Sequence, residues 1–560
     1  MPERRRTFPR PRRTTPWSIR SSAALVVLLG YAALFPQTLR AQRLPVGDGD
    51  ETYLRVLQLL GRAPDSSSLL IRPLALRSPG TAAADTTRDP WSRRWGVTRT
   101  AMGGRLHVHD PEILGIFISG FPDSRNEGAL TPGRYLTTAL RGGVSLREGP
   151  LTVSLRPMAA WVQNGDFPLA PVQVDGQPEF AYPWRRMDAP QRFGPNAFWQ
   201  LDWGQSEVRL DLGPVSTSFG TTNMWWGPGI QNAILMSNNA AGFPHATIES
   251  SRPLDIGIGR LEALWMFGRL QGTEWFDRSI DDNGRYVTGA AVAYSPDAKP
   301  LQGLSVGAAR VFLANVPADG IALGEYLLIV QSPRKKDFAA PGNPLGDDER
   351  DQLFSLFARW VLPASGFEVY GEWARNDHSW GAREYVLWLG HTAAYTVGLQ
   401  KATPLSAARV LVLSAEATQL TNPDIGIRDW PTPVYYSHGR VPRGYTNRGQ
   451  VLGAALGPGG TAQFLDARLY APWGGTSLHV QRELLDRDAW LQSRQAGQLT
   501  SDLETQMNVG ASFTWFRGGW DLQASADHTW RLNRYFVSRD DRQSTRFSLG
   551  ARRRLGWLQP

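Results

Sequence analysis

The stretch MNVGASFTWFRGGWDLQASADHTWR, from Met507 to Arg531, alternates between apolar and polar side chains on both sides of Arg517-Gly518-Gly519. On the first arm Met507, Val509, Ala511, Phe513 and Trp515 share one face, and Asn508, Gly510, Ser512 and Thr514 share the other. On the second arm Trp520, Leu522, Ala524 and Ala526 oppose Asp521, Gln523, Ser525, Asp527, Thr529 and Arg531. A period of two identifies strands, and the glycine-bearing break identifies a hairpin turn. Alternation over about 10 residues is the length at which a tilted strand crosses a bilayer. The aromatics collect toward the ends of the apolar rows, where an interfacial girdle belongs. The hairpin predicts a barrel with lipid outside and water inside.

The same alternation recurs upstream. Leu151, Val153 and Leu155 alternate with Thr152, Ser154 and Arg156; Val208, Leu210 and Leu212 alternate with Arg209 and Asp211. Leu411, Leu413, Ala415 and Ala417 alternate with Val412, Ser414, Glu416 and Thr418. At the far end Phe547, Leu549, Ala551, Leu555 and Trp557 lie opposite Arg546, Ser548, Arg552 and Arg554, with Arg553 as the one violation. Such windows number about 16 to 18, in line with the even strand counts of outer-membrane barrels. The fold class is all-β, a transmembrane antiparallel β-barrel over residues 101–560, closed so that no strand edge faces lipid. The turn at Arg517-Gly518-Gly519 is tight, whereas 164–195, 221–250, 317–350, 421–449 and 484–504 are long connections, expected to face the cell exterior. The absence of a regular repeat of about 20–50 residues argues against a propeller or solenoid.

Residues 1–41 read as a signal peptide. Seven arginines between Arg4 and Arg20 precede the apolar run Ala23–Phe35, which is too short for a comfortable membrane span, and Ala41 offers a cleavage point. An uncleaved anchor helix is the alternative. This segment holds eight arginines against Glu3, so +7 of the formal +9 resides there and the remainder is near +2. The pI of 9.8 therefore does not describe the folded part, and nucleic acid is not an expected partner. The chain has no cysteine, which excludes disulfides, thiolate metal sites and cysteine nucleophiles. A mean hydropathy of −0.32 is compatible with a barrel, because only alternate residues meet lipid.

Residues 42–100 are expected to form a small periplasmic helical segment and connector. In DGDETYLRVLQLL, Asp48–Leu60, the side chains of Tyr53, Val56, Leu57 and Leu60 fall on one helical face. Asp48 and Glu51 stand at capping-box spacing and Gly61 follows the last turn. A second helical or irregular piece is expected near Ser66–Leu70.

The most distinctive run is TTNMWWGPGIQNAILMSNNAAGFPHATIE, with Trp225-Trp226-Gly227-Pro228-Gly229 shortly before Ser237-Asn238-Asn239-Ala240. This pairing resembles the signature of the Wzi-type capsule assembly family, and YLRVLQLLGRAPDSSSLLIRPLAL resembles the helical region those proteins place before their barrel. The resemblance implies an 18-stranded outer-membrane barrel that holds capsular or related surface polysaccharide at the cell exterior without catalysis and without a cofactor. It implies polysaccharide, outer-membrane lipid and polysaccharide export machinery as partners. Trp225, Trp226, Asn238 and Asn239 are candidate sugar contacts, since indoles stack on sugar C–H faces and amides bond hydroxyls. The same residues could instead fix a tight bend and fill the lumen. Trp373, Trp380 and Tyr385, in EWARNDHSWGAREY, and Tyr435 and Tyr436, in VYYSHGRVPRGY, are further candidates; an interfacial girdle is their alternative role. A porin or substrate-specific channel is the rival function.

Catalytic patterns are weak. None of the eight histidines forms H-E-x-x-H. His107, His109 and Asp110 read more simply as polar lumen residues than as a zinc site. Ser237 and His245 could serve as nucleophile and base of a barrel hydrolase, but no G-x-S-x-G accompanies them.

Overall fold

The computed structural model describes residues 41–63, 67–77, 91, 99–101, 105–277, 284–330, 350–376, 382–387, 390, 392–422, 434–495 and 502–555. The expected signal peptide up to residue 40 lies outside them, as do Trp380 and Trp557.

Eighteen strands form the wall. They are β1 (Leu106–Ile118), β2 (Tyr135–Glu148), β3 (Leu151–Leu155 with Met158–Val162), β4 (Phe198–Asp202 with Glu207–Leu212), β5 (Val215–Gly220) and β6 (His245–Ser250 with Leu254–Asp255). Next come β7 (Gly259–Leu270), β8 (Arg285–Pro296), β9 (Leu304–Asn315), β10 (Arg350–Leu362), β11 (Phe367–Asn376) and β12 (Ala393–Ser406). The last six are β13 (Arg409–Gln419), β14 (Thr461–Ala471), β15 (Gly474–Leu484), β16 (Thr505–Arg517), β17 (Trp520–Leu532) and β18 (Arg542–Arg553). Sequential strands pair antiparallel, and β18 closes on β1 with Arg546 opposite Ile118 and Arg552 opposite Glu112. Closure satisfies every wall strand on both edges, the condition for a sheet in hydrocarbon.

The deciding hairpin is β16–β17. Phe513 pairs with Ala524 and Trp515 with Leu522 on the outer face, and Ser512 pairs with Ser525 on the inner face. The outer belt is apolar all round: Leu140 is 57% exposed and Leu549 69%. Inward positions are polar and bonded to one another, as in the Ser525–Ser548 hydroxyl pair at 2.7 Å. Arg553, the lone break in the β18 pattern, lays its guanidinium over the Trp520 ring at 4.9 Å. A cation on an indole at the strand end is satisfied there despite the apolar row.

Connections at one end are tight, such as 149–150, 407–408 and 518–519, and those at the other are long. Helix α1 (Gly49–Leu59) lies at the tight-turn end. Asp48 caps it by accepting from the Asp50 amide at 2.9 Å. The Glu51 carboxylate accepts from the Gly47 amide at 2.9 Å, one residue before the position a capping box would use. Gly61 takes φ +66 and ends the helix. Tyr53, Leu54, Val56, Leu57 and Leu59 are buried against Val361, Ala402, Val410, Val412 and Tyr470 of the wall. Burying each such side chain contributes about 1.5–3 kcal/mol. Ser67–Leu70 is not helical; it leads into a two-residue strand, Ile71–Arg72. The helix packs on the inner wall of the barrel mouth rather than standing away from it.

Candidate functional site

The lumen is filled at mid-height by the segment between β5 and β6. Trp225 and Trp226 pair as a short antiparallel strand with Arg72 and Ile71. The Trp226 amide donates to the Met236 carbonyl at 3.0 Å and the Gly227 amide to the Leu70 carbonyl at 2.8 Å. Trp226 is 0% exposed, its ring lodged over Gly289 of β8, where a Cβ would stand 2.9 Å from the indole. The Arg72 guanidinium covers the Trp225 ring at 4.7 Å. Gly227 needs its φ of +103 and its missing Cβ, which would approach the Glu372 carboxylate at 2.9 Å.

Charge then locks the turn to the wall. The amides of Ile230, Gln231 and Asn232 converge on the Glu416 carboxylate of β13 at 2.6, 3.1 and 2.8 Å. Tyr370 donates to the same group at 2.9 Å. On the other side Arg55 of α1 bonds the Pro228 carbonyl at 2.8 Å and Glu368 at 2.7 Å, and Arg72 bonds the Gly229 carbonyl at 3.3 Å. Arg359 shares Glu368 at 2.6 Å. A carboxylate accepting several backbone N–H bonds is a strong, directional clamp.

The sequence-derived candidates distribute as follows. Ser237 gives its hydroxyl to the Gly453 carbonyl at 2.5 Å, Asn238 its amide to the Asn126 carbonyl at 2.8 Å, and Asn239 its amide to the Val451 carbonyl at 2.9 Å. His245 is bonded at 2.7 Å to the Phe243 carbonyl, so Ser237 and His245 serve different backbone partners. Tyr435 and Tyr436 are fully buried; they donate to the carbonyls of Thr392 at 3.0 Å and Ile234 at 2.8 Å. Enclosed rings offer no face to a sugar, so Trp225, Trp226, Tyr435 and Tyr436 occupy the plug rather than the surface. Trp373 lies on the wall, paired with Leu356 and Tyr395 on the outer face and edge-on to Phe354 at 6.4 Å. Tyr385 falls in the short helix Ala382–Leu387. Among the described residues no group of three or more His, Asp or Glu has the geometry to hold a metal ion.

A different set of aromatics gathers at the long-loop end. Trp184 packs on Phe536 at 4.8 Å, and Trp275 meets Phe180 edge-on at 5.3 Å. Trp490, in the helix Arg487–Gln495, lies under the Arg494 guanidinium at 4.9 Å. All three indoles are half-buried. Loop 163–197 ties the neighbouring loops together. Arg185 bonds Asp486 at 2.6 Å, Tyr182 bonds the same carboxylate, and the Tyr535 hydroxyl and Arg534 reach the Pro168 carbonyl at 3.1 and 2.5 Å. Below this rim Asp488 accepts from the Asn422 amide at 3.1 Å. Burial, reinforced by the Asp486 charge, pushes its carboxyl up to about 6. The signal that could have found this set was Trp beside charge inside the long connections, as in PWRR and EWFD.

A closed 18-stranded barrel with an apolar outer belt and a lumen stoppered by its own chain defines an outer-membrane protein. The family profile described as Capsule assembly protein Wzi matches residues 172–545, and the chain belongs to that family. Among solved structures, Wzi of Escherichia coli, described as an outer membrane protein involved in group 1 capsule assembly and a carbohydrate-binding β-barrel, superposes with a TM-score of 0.60 at 13% identity, covering 91% of this chain and 99% of that one. OccK2 (OpdF) of Pseudomonas aeruginosa matches with a TM-score of 0.39 at 11% identity, covering 80% and 96% of the two chains. A BenF-like porin of Pseudomonas fluorescens Pf-5 matches with a TM-score of 0.39 at 9% identity, covering 80% and 98%. No curated protein matches by sequence.

Proposed function

We propose that this barrel binds exported capsular or related surface polysaccharide and anchors it at the cell exterior, without catalysis. The observation that carries the reading is the filled lumen. Trp226, its partner strand at Ile71–Arg72 and the Glu416 clamp occupy the volume a channel would need. The long-loop end faces the exterior on this reading and the tight-turn end, with α1, faces the periplasm, as loop asymmetry in such barrels predicts. The apolar belt meets outer-membrane lipid. Sugar contact falls to the half-buried indoles of Trp184, Trp275 and Trp490, whose faces stack on sugar C–H surfaces while Arg185, Arg186 and nearby carboxylates bond hydroxyls. Trp225, Trp226, Asn238 and Asn239 hold the plug on which those loops rest, and Trp373 belongs to the outer aromatic belt. Export machinery that hands over the polysaccharide would approach the same long-loop face.

The test is binding of purified surface polysaccharide to the protein in detergent. Trp184→Ala, Trp275→Ala and Trp490→Ala together should weaken it by about tenfold or more, since stacking on one indole contributes about 0.5–1.5 kcal/mol beyond burial. Unchanged binding by the triple variant, or a steady porin-like current from the wild type in planar bilayers, would overturn the proposal.

A further inference from the structure

Beside the N-terminal segment the lumen keeps an open polar cavity of about 360 Å³ at the tight-turn end, walled by β1 to β4 and β18 and bounded by residues 43–50. Most arginines around it are engaged. Arg552 bonds Glu112 at 2.9 Å and Asp48 at 3.4 Å, Arg554 bonds Asp521 at 2.5 Å, Arg43 bonds Glu249 at 2.8 Å, and Arg546 pairs with Glu127. Arg141 and Arg156 differ. Both line the cavity, and neither has a hydrogen-bond or ion-pair partner for its guanidinium among the described residues.

Their position follows from strand geometry. Leu140 points outward, so Arg141 points into the lumen, where it stands opposite Met158 of β3. Arg156, two residues before Met158, faces the same way. It is flanked by glycine on both neighbouring strands: Gly143, whose missing Cβ would approach the Arg156 Cα at 2.8 Å, and Gly204, which bridges to it. No side chain can be added at either glycine, because a Cβ would stand 2.0 Å from the Leu155 carbonyl oxygen or 2.2 Å from that of Arg156. The positions that flank Arg156 on the adjacent strands therefore place no side chain over it. Diagonal same-face neighbours stand about 7–8 Å apart, close enough for two long guanidinium arms to converge on one anion.

The nearest acids are already held: Asp48 and Glu112 by Arg552, and Glu207 by Arg43. Two unpaired cations in a partly enclosed site are costly unless an anion joins them. The volume is several times the roughly 30 Å³ share of one water, more than a bare anion needs. His107 and His109 add polar edges, the latter bonded to Ser145 at 2.7 Å. We propose that this cavity binds the carboxylate of an acidic saccharide unit reaching the barrel from the tight-turn end, with Arg141 and Arg156 as its charge partners. The site is separate from the long-loop indoles; that a saccharide carries the carboxylate rests on the polysaccharide reading above, whereas the cationic pair itself does not.

The test uses the full mature chain in detergent and calorimetric titration with trigalacturonate, its neutral methyl ester and inorganic phosphate. Trigalacturonate should bind at least about tenfold tighter than the ester, a preference that falls as salt rises. Arg141→Gln/Arg156→Gln should abolish the preference, whereas Arg409→Gln, which removes an exposed charge elsewhere at the same end, should keep it. Heat-modifiable migration on gels confirms that each variant barrel is closed; if the double variant fails to fold, each single variant should lose part of the preference. The proposal is overturned if folded variants lacking these arginines bind trigalacturonate as the wild type does, if the ester binds equally well, or if phosphate alone binds as tightly as the saccharide.

Discussion

Replacing Glu416 by Ala removes the single acceptor on which the Ile230, Gln231 and Asn232 amides converge, together with the partner of the Tyr370 hydroxyl. Each buried donor left unmade costs about 1–3 kcal/mol. The four losses are not additive, because the Gly-Pro-Gly turn can relax and all four donors share one acceptor. A total of about 3–5 kcal/mol is reasonable, in the range seen when one partner of a buried charged cluster is removed. The wall ladders of β13 do not involve the side chain, so the barrel should stay closed. Local opening of the plug should become about a hundredfold to several thousandfold more frequent. Hydrogen exchange with mass spectrometry on peptides covering 225–240 reads this directly. Glu416→Gln, which keeps one carbonyl acceptor, should fall between the two. If the Glu416→Ala plug exchanges as slowly as the wild type while the barrel is intact, the clamp does not hold the turn and the reasoning fails.

Leu57→Ala should cost about 2–5 kcal/mol, because Leu57 is buried between α1 and the wall; faster protease cleavage of residues 49–59 with unchanged barrel migration would show it. The Asp488 carboxyl, raised by burial to about 6 from 3.8, binds its proton more tightly in the folded loop than in the unfolded one. Loop stability should therefore fall as pH rises from about 4 to above 6, by about 2–3 kcal/mol at most. Asp488→Asn should flatten this dependence, measured by exchange of the amides in 485–495, and a slope unchanged in that variant would refute the assignment.

The wall was legible in the sequence because lipid on one side and water on the other impose a period of two on every strand. Met507–Arg531 shows it with Phe516 on the inner row and His528 on the outer row out of pattern, and the strand count followed. Even the violation at Arg553 is local chemistry, a guanidinium resting on Trp520 across the β17–β18 pair. The α1 cap and its terminating Gly61 were equally readable, since helix ends depend on neighbours in the chain. The plug was not. Trp225 to Asn232 has no periodicity, and its partners, Arg55, Glu368 and Glu416, stand far away in sequence. Burial of Tyr435 and Tyr436 was hidden for the same reason: a tyrosine in a long loop looks alike whether its hydroxyl meets water or the Ile234 carbonyl. The long-loop indoles escaped notice because a lone Trp beside Arg or Asp carries no spacing rule. Arg141 and Arg156 look like ordinary inward positions until the wall register places glycines beside one of them.

The most direct measurement is the partition of surface polysaccharide between cells and medium after deletion of this protein. The account predicts that total polysaccharide stays level while the cell-bound fraction drops and the shed fraction rises, restored by the wild type and not by a variant lacking the long-loop indoles. An unchanged ratio of bound to shed material in the deletion strain would contradict it.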